Sequence, residues 1–344
     1  MRKYLLSAGV AGVLALASAA QGPVAAQAPG PSKAGASTTP SAGRKAWTPP
    51  RAADGHPDLQ GIWDYRSATP LERPAQFAGR ETMTPEEVDA YEQRAAERED
   101  GRPPDDPRTE QSVHPSWWLD YGKTVVKTRR TSLIVDPPDG KIPPFTADAK
   151  ARIAARRAAA QSHGPADSPE YRSLFERCLT RGVPDGMLPG PYNNNMKLLQ
   201  TPGYVVIFTE MIHDARIVPM DGRPHDPPNI RKWMGDSRGR WEGNTLVIDT
   251  TNFTDKTSFR GAGANLHVVE RFTRIDADTL EYRFTVEDPT TWTRPWTVAF
   301  PMVRTEGPIY EYACHEGNYG LVGILSGARS EEKVAEEAER KKQR

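Results

Sequence analysis

The sequence predicts a mainly β fold, an antiparallel meander closed as a barrel or sandwich, with helices at its periphery. Three observations predict it. From about residue 198 to residue 326 almost every segment reads as a short strand bounded by turn residues. The chain of 344 residues holds 28 Gly and 32 Pro, enough for many tight turns but short of the share found in disordered chains. Residues 279–287 alternate, with Leu280, Tyr282, Phe284 and Val286 set against Glu281, Arg283, Thr285 and Glu287. That is the pattern of a strand with one packed face and one wet face. Consecutive hairpins leave exposed edges, and closing the sheet on itself removes them.

The amino-terminal region is read as targeting. Arg2 and Lys3 precede an apolar run over residues 4–18, and Ala17-Ser18-Ala19 or Val24-Ala25-Ala26 offers a small-residue cleavage site. This is the form of a secretory signal peptide over 1–26, and the expected location is periplasmic or secreted. The run is shorter than the ~20 residues that cross a bilayer, and no later segment approaches that length, so no transmembrane segment is expected. Residues 27–50 carry too little apolar mass to offset chain entropy and read as a flexible linker. A β-barrel-like domain then fills 51–328, and 329–344 form a charged helical tail with Glu early and Lys/Arg late, as the helix dipole favours. Two helical insertions are expected near 84–99 and 147–161, the first opened by Thr84-Pro85-Glu86-Glu87 and the second capped by Thr146. Residues 101–118 are a proline-rich loop ending in two tryptophans.

The strands are expected in sequence. Residues 58–66 open on Gly61-Ile62-Trp63, and 131–143 read as a strand, a tight turn at Pro137-Pro138-Asp139-Gly140 and a second strand. Tyr204 to Met211 turns at His213-Asp214-Ala215 into Arg216-Ile217-Val218, and Arg240–Asn244 is a turn into 245–253. Residues 266–275 and 279–287 form a hairpin, and 296–304 pairs with 309–314. In the strand from 266, Glu270 falls on the face of Leu266, Val268 and Phe272. A carboxylate on that face requires a partner.

Charge and motif content exclude several functions. With 45 basic and 45 acidic side chains there is no global field to gather nucleic acid, and no nucleic-acid partner is expected. The two cysteines, Cys178 and Cys314, read as one disulfide in an exported chain. There is no CxxCH, CxxC, HxH, HxxxH or HExxH and no phosphate-cradling loop, so neither a metal nor a cofactor is expected. Gly235-Asp236-Ser237-Arg238-Gly239 has the spacing of GxSxG but lacks the strand before it and the helix after it that a nucleophile elbow needs.

Two resemblances follow. The block Trp233 to Phe253, with Gln200–Tyr204 before it and Cys314–Tyr319 after it, resembles a large family of exported bacterial proteins; that resemblance carries no catalytic assignment. Gly61-Ile62-Trp63 followed by a meander is similar to the lipocalin-type barrel, and the likeness implies a lipocalin-like barrel with a ligand cavity at its mouth.

The chemistry-bearing residues concentrate between Glu210 and Arg240. Candidates for acid–base work are Glu210, His213, His225, Glu270 and His315, because histidine titrates near neutral pH and a carboxylate complements it. Candidates for holding a substrate are Arg216, Arg231, Trp233, Arg238, Trp292 and Arg294, since arginine forks grip oxyanions and tryptophan faces stack on rings. Against these stand bland alternatives: the 235–240 stretch as a turn that satisfies its own groups, His213 as a solvated turn residue, His267 on a wet face, and Trp63 and Trp241 as core anchors. Two functions remain open. One is an exported hydrolase or lyase acting on a polar or aromatic small molecule by His/carboxylate chemistry. The other is a non-catalytic, lipocalin-like binding protein for a small hydrophobic, aromatic or sugar ligand.

Overall fold

Nine strands follow one another as an antiparallel meander whose first and last members meet. The strands are β1 (Gly61–Asp64), β3 (Asn195–Thr201), β4 (Tyr204–Thr209), β5 (Ala215–Pro219), β6 (Asp236–Glu242), β7 (Thr245–Thr251), β8 (His267–Arg274), β9 (Thr279–Glu287) and β10 (Trp296–Thr305); a short β2 (Ile134–Asp136) lies against β10. These belong to a computed structural model that describes residues 47–344 apart from 101–118, 165 and 257–258. The signal peptide, most of the linker and the proline-rich loop expected from the sequence lie outside the described residues.

The order across the sheet is β5-β4-β3-β1-β10-β9-β8-β7-β6. It follows the chain except at β1 beside β10, where the ends join, and at β5 and β6, which are the two free edges. Parity explains that break. Every ladder is antiparallel, and eight antiparallel steps leave β5 and β6 running in the same direction. A ring of nine strands cannot be antiparallel throughout, and a parallel pair needs a long crossover rather than a tight turn. Residues 220–235 are that crossover. No ladder joins β5 to β6 among the described residues, but their edges approach. A Cβ placed on Gly239 would lie 3.0 Å from Val218 Cγ1 and 2.2 Å from Met220 Sδ.

The interior is filled with side chains. Trp63, Leu198, Phe272, Phe284, Val298 and Met302 are fully buried, each removal of such a side chain from water contributing roughly 1.5–3 kcal/mol. Leu280, Tyr282, Phe284 and Val286 all point inward, as the alternation requires. The Trp63 indole N–H donates to the Leu59 carbonyl at 2.9 Å. Its ring faces the guanidinium carbons of Arg274 and Arg304 at 5.7 and 5.9 Å.

Helix α1 (Pro85–Asp100) starts with a capping box: the Glu87 amide donates to Thr84 Oγ1 at 3.2 Å and the Thr84 amide to Glu87 Oε2 at 2.9 Å. Helix α2 (Ala147–Gln161) is capped by Thr146, which accepts from the Ala149 amide at 3.1 Å. Helix α3 (Gly320–Lys342) begins before the expected tail at 329 and runs on through Gly323 and Gly327, with no proline in its span to stop it. None of the described helices is long and apolar enough to cross a membrane.

Three strand expectations are corrected. The turn at Pro137–Gly140 forms, with Gly140 N donating to Pro137 O at 3.0 Å, but residues 141–143 do not pair back. The Lys141 and Ile142 amides go instead to the Asp139 and Glu72 side chains. Residues 309–314 form no strand, since β9 occupies one side of β10 and β1 and β2 share the other. The stretch 236–242, expected as turn, is strand β6 paired to β7 across Gly243-Asn244. Gly235, at φ +71°, makes that change of direction, and a Cβ there would lie 2.7 Å from the Thr251 carbonyl oxygen. Gly235→Ala is therefore expected to cost at least ~1–2 kcal/mol in a urea melt from the left-handed backbone alone.

Candidate functional site

The antiparallel ladders place the start of β5, β6 and β8 and the end of β4 and β7 at one end of the sheet. Over that end, loop residues Met211, Trp233, Asp255 and Lys256 combine with the 170–192 segment to wall a cleft of about 1080 Å³. Its flat surfaces are Tyr121, Phe175, Tyr192 and Trp233. Five cations line it, Arg156, Arg172, Arg177, Arg181 and Lys256, against the three carboxylates Glu170, Asp185 and Asp255. Arg172 is committed to Glu176, whereas Arg156, Arg177 and Lys256 have no ion pair among the described residues. The cleft is cationic and aromatic.

Below it lies Asp214. Its Oδ2 accepts from Thr180 Oγ1 at 2.8 Å and from the Arg181 amide at 3.1 Å. Burial pushes the Asp214 carboxyl above the ordinary carboxylate value in spite of those bonds. Asp214, Thr209, Arg216 and Met234 border a small pocket that shares Gly182 with the cleft.

Deeper in the sheet sits a fully buried charge pair. Glu270 on β8 accepts from both terminal nitrogens of Arg216 on β5, the Nη2 contact being 2.9 Å, and from Tyr282 Oη at 2.8 Å. Burial alone would lower the Arg216 pKa; Glu270 overrides it and raises it. Burial, reinforced by Glu270, drives the Tyr282 phenol well above its usual value. The partner required for Glu270 is thus present, and it crosses the open seam.

A second polar cluster clasps the 220–235 crossover to β6 and β7. Asp236 is buried and accepts from Lys232 Nζ at 2.7 Å, Arg238 Nη1 at 2.9 Å, the Asp226 amide at 3.0 Å and His225 Nδ1 at 3.1 Å. Burial pushes this carboxyl up, but the donors outweigh it and hold it well below the usual range. His225 Nε2 is 3.0 Å from Asp249 Oδ1, and His267 Nε2 is 3.0 Å from Asp249 Oδ2. Both ring nitrogens of His225 are thus engaged by carboxylates within the clasp, and neither faces the cleft. Ser237 of the GxSxG-like stretch is buried in β6 against Thr250 Oγ1 at 2.9 Å.

The clasp makes stability depend on pH. The bond to Asp249 raises His267 above its usual 6.5, and the same bond lowers Asp249 below 3.8. A raised imidazole contributes fully below about pH 6.5 and loses its contribution as pH climbs through the raised value; the depressed carboxylates contribute above about pH 4 and lose theirs as pH falls. His267→Gln is expected to flatten the alkaline decline in urea melts between pH 6 and 8 and to leave the acid limb from Asp236 in place.

The remaining predicted residues are scattered. Glu210 is buried, accepting from Asn195 Nδ2 at 2.7 Å and the Tyr310 amide at 3.0 Å. His213 is exposed and donates Nδ1–H to the Tyr312 carbonyl at 2.9 Å. His315 is exposed in the carboxyl-terminal loop. Arg231 holds the Phe253 and Ala264 carbonyls, and Arg294 pairs with Asp136. Trp292, expected to hold a substrate, is buried edge to face with Trp296 at 5.5 Å, and both rings pack on Phe259. The ring of Trp241 is only partly buried and stacks on His56 at 4.9 Å. Of the predicted residues, Trp233 lines the cleft. Sequence reasoning did not single out Arg181 or Asp249 and gave Asp214 and Asp236, which fall in the charge-dense 210–240 stretch, no role; the Arg-rich helix at 147–161 contributes Arg156 to the cleft. Compared with known proteins, the chain matches no family model and no curated protein.

Proposed function

We propose that this is an exported binding protein whose small-molecule ligand, aromatic in part, occupies the cleft at one end of the sheet. The observation that carries the reading is the cleft itself, roomy enough for a drug-sized molecule, walled by four aromatic side chains and lined by Arg156, Arg177 and Lys256, which have no ion pair among the described residues. The lipocalin-type calyx is a poorer place for a ligand, since the sheet interior is packed with Trp63, Tyr282, Phe284 and Met302. Export is supported by the leader-like amino terminus and by the Cys178–Cys314 disulfide.

A thermal-shift screen of phenols, aromatic acids, sugars and fatty acids tests it. At a hundredfold excess over Kd, a cleft ligand stabilises the fold by about 2.7 kcal/mol. An aromatic hit that raises the Tm of the wild type, and fails to raise that of the cleft-filling variant Leu174→Trp, is the expected result. No hit, or hits indifferent to Leu174→Trp, would contradict it.

The hydrolase or lyase reading draws its support from Asp214, a carboxyl raised by burial beside Thr180 and Arg216 and next to the cleft. On that reading, Asp214→Asn abolishes conversion of a bound hit followed by mass spectrometry, yet keeps its thermal shift.

A further inference from the structure

Arg181 is held differently from the other cleft cations. Its amide is fixed by Asp214 and that of Gly182 by Thr180 Oγ1 at 2.8 Å, so the backbone on both sides of its Cα is pinned. Its side chain is only 17% exposed. The guanidinium lies against Gly190, where a Cβ would sit 2.9 Å from Nη1 and 3.0 Å from Nη2. An alanine there would push the guanidinium aside. The Gly190 peptide is itself committed to Asn194, its amide donating to Oδ1 at 2.7 Å and its carbonyl accepting from Nδ2 at 3.0 Å. The nearest carboxylate, Asp185 Oδ2, stands 3.9 Å from Nε, beyond hydrogen-bond reach. Among the described residues, neither terminal nitrogen of Arg181 has an acceptor within hydrogen-bond distance. A guanidinium carries five donors in a planar fork, and because Arg181 keeps some exposure where it lines the cleft, those donors are available to a ligand there.

From this geometry we infer that the ligand is an arene bearing an oxyanion (carboxylate, sulfate or phosphate) and that Arg181 is its anchor. The inference rests on the cleft being the ligand site. The oxyanion takes the fork of Arg181 as a bidentate partner, and the ring lies among Tyr121, Phe175, Tyr192 and Trp233. Arg177 and Lys256 supply positive potential on the approach rather than the grip.

Isothermal titration of the full chain with benzoate, phenyl phosphate and neutral benzyl alcohol tests it, on wild type, Arg181→Gln, Arg181→Lys and Gly190→Ala. Charge-assisted hydrogen bonds correspond to about tenfold or more in affinity. At least one oxyanion is expected to bind wild type about tenfold or more tightly than benzyl alcohol, and Arg181→Gln to erase that advantage while leaving benzyl alcohol unchanged. Arg181→Lys is expected to retain part of it, since it keeps the charge and loses the fork, and Gly190→Ala to mimic Arg181→Gln by displacing the guanidinium. Equal binding of charged and neutral probes, or an oxyanion preference that survives Arg181→Gln, overturns the anchor and leaves the cleft reading standing. Arenes that fail to bind wild type at all overturn both.

Discussion

Arg216→Leu is expected to lower stability by about 3–5 kcal/mol. The reason is desolvation. Glu270 is fully buried, and its acceptors are taken up by the two Arg216 nitrogens and the Tyr282 hydroxyl. Removing the guanidinium leaves a carboxylate in the core with one neutral donor. The pair as a whole is a weaker source of stability than its rupture suggests, because burying two ions costs nearly what their attraction returns. Hence the double variant Arg216→Leu, Glu270→Leu is expected to recover most of the loss in a urea melt. A double variant no better than the single one would mean that the pair holds the β5 edge in place by geometry that aliphatic side chains cannot supply. That outcome would assign closure of the seam to this bond, since no ladder joins β5 to β6 among the described residues.

Cys178→Ser is expected to cost about 2–5 kcal/mol, because the bridge closes a separation of 136 residues and a long loop gains most from cross-linking. The effect has a location. After β10 the chain is attached through Tyr310 to Glu210, through Tyr312 to His213, and through Cys314 and Asn318 to Cys178. Without the bridge, that segment is expected to open, and chymotrypsin to cut after Tyr310 well before the sheet unfolds. Leu174, Phe175 and Arg177 flank Cys178 and line the cleft, so reduction is also expected to weaken any cleft ligand. Unchanged melting and unchanged proteolysis on reduction would show that the segment is held without the disulfide.

The parts of this molecule that were legible in the sequence are those decided locally. Thr84 and Thr146 cap helices because their hydroxyls reach the amides three residues on. The alternation of β9 fixes which side chains are buried, and the need of Glu270 for a partner follows from the matching alternation of β8. What could not be read depends on closure. The pairing expected for 309–314 fails because β1, far away in the chain, takes the adjoining edge of β10. The 210–240 stretch reads as a site because it is dense in charge; much of that charge belongs to the 220–235 crossover and its junction with β6, which beside an unpaired seam must satisfy its own polar groups, as Asp236, Asp226 and Lys232 do for one another. The cleft was invisible for the opposite reason. Arg156, Arg181, Trp233 and Lys256 come from four separate segments, and no motif or spacing links them.

Hydrogen exchange followed by mass spectrometry, with and without saturating 4-hydroxybenzoate, tests the central claim most directly. The account predicts new protection confined to the cleft walls, residues 119–121, 170–192 and the loop segments around 233 and 255, with β8 and β9 unchanged. Protection appearing instead on the inward strands β8, β9 and β10, as for a ligand inside the sheet, would contradict it.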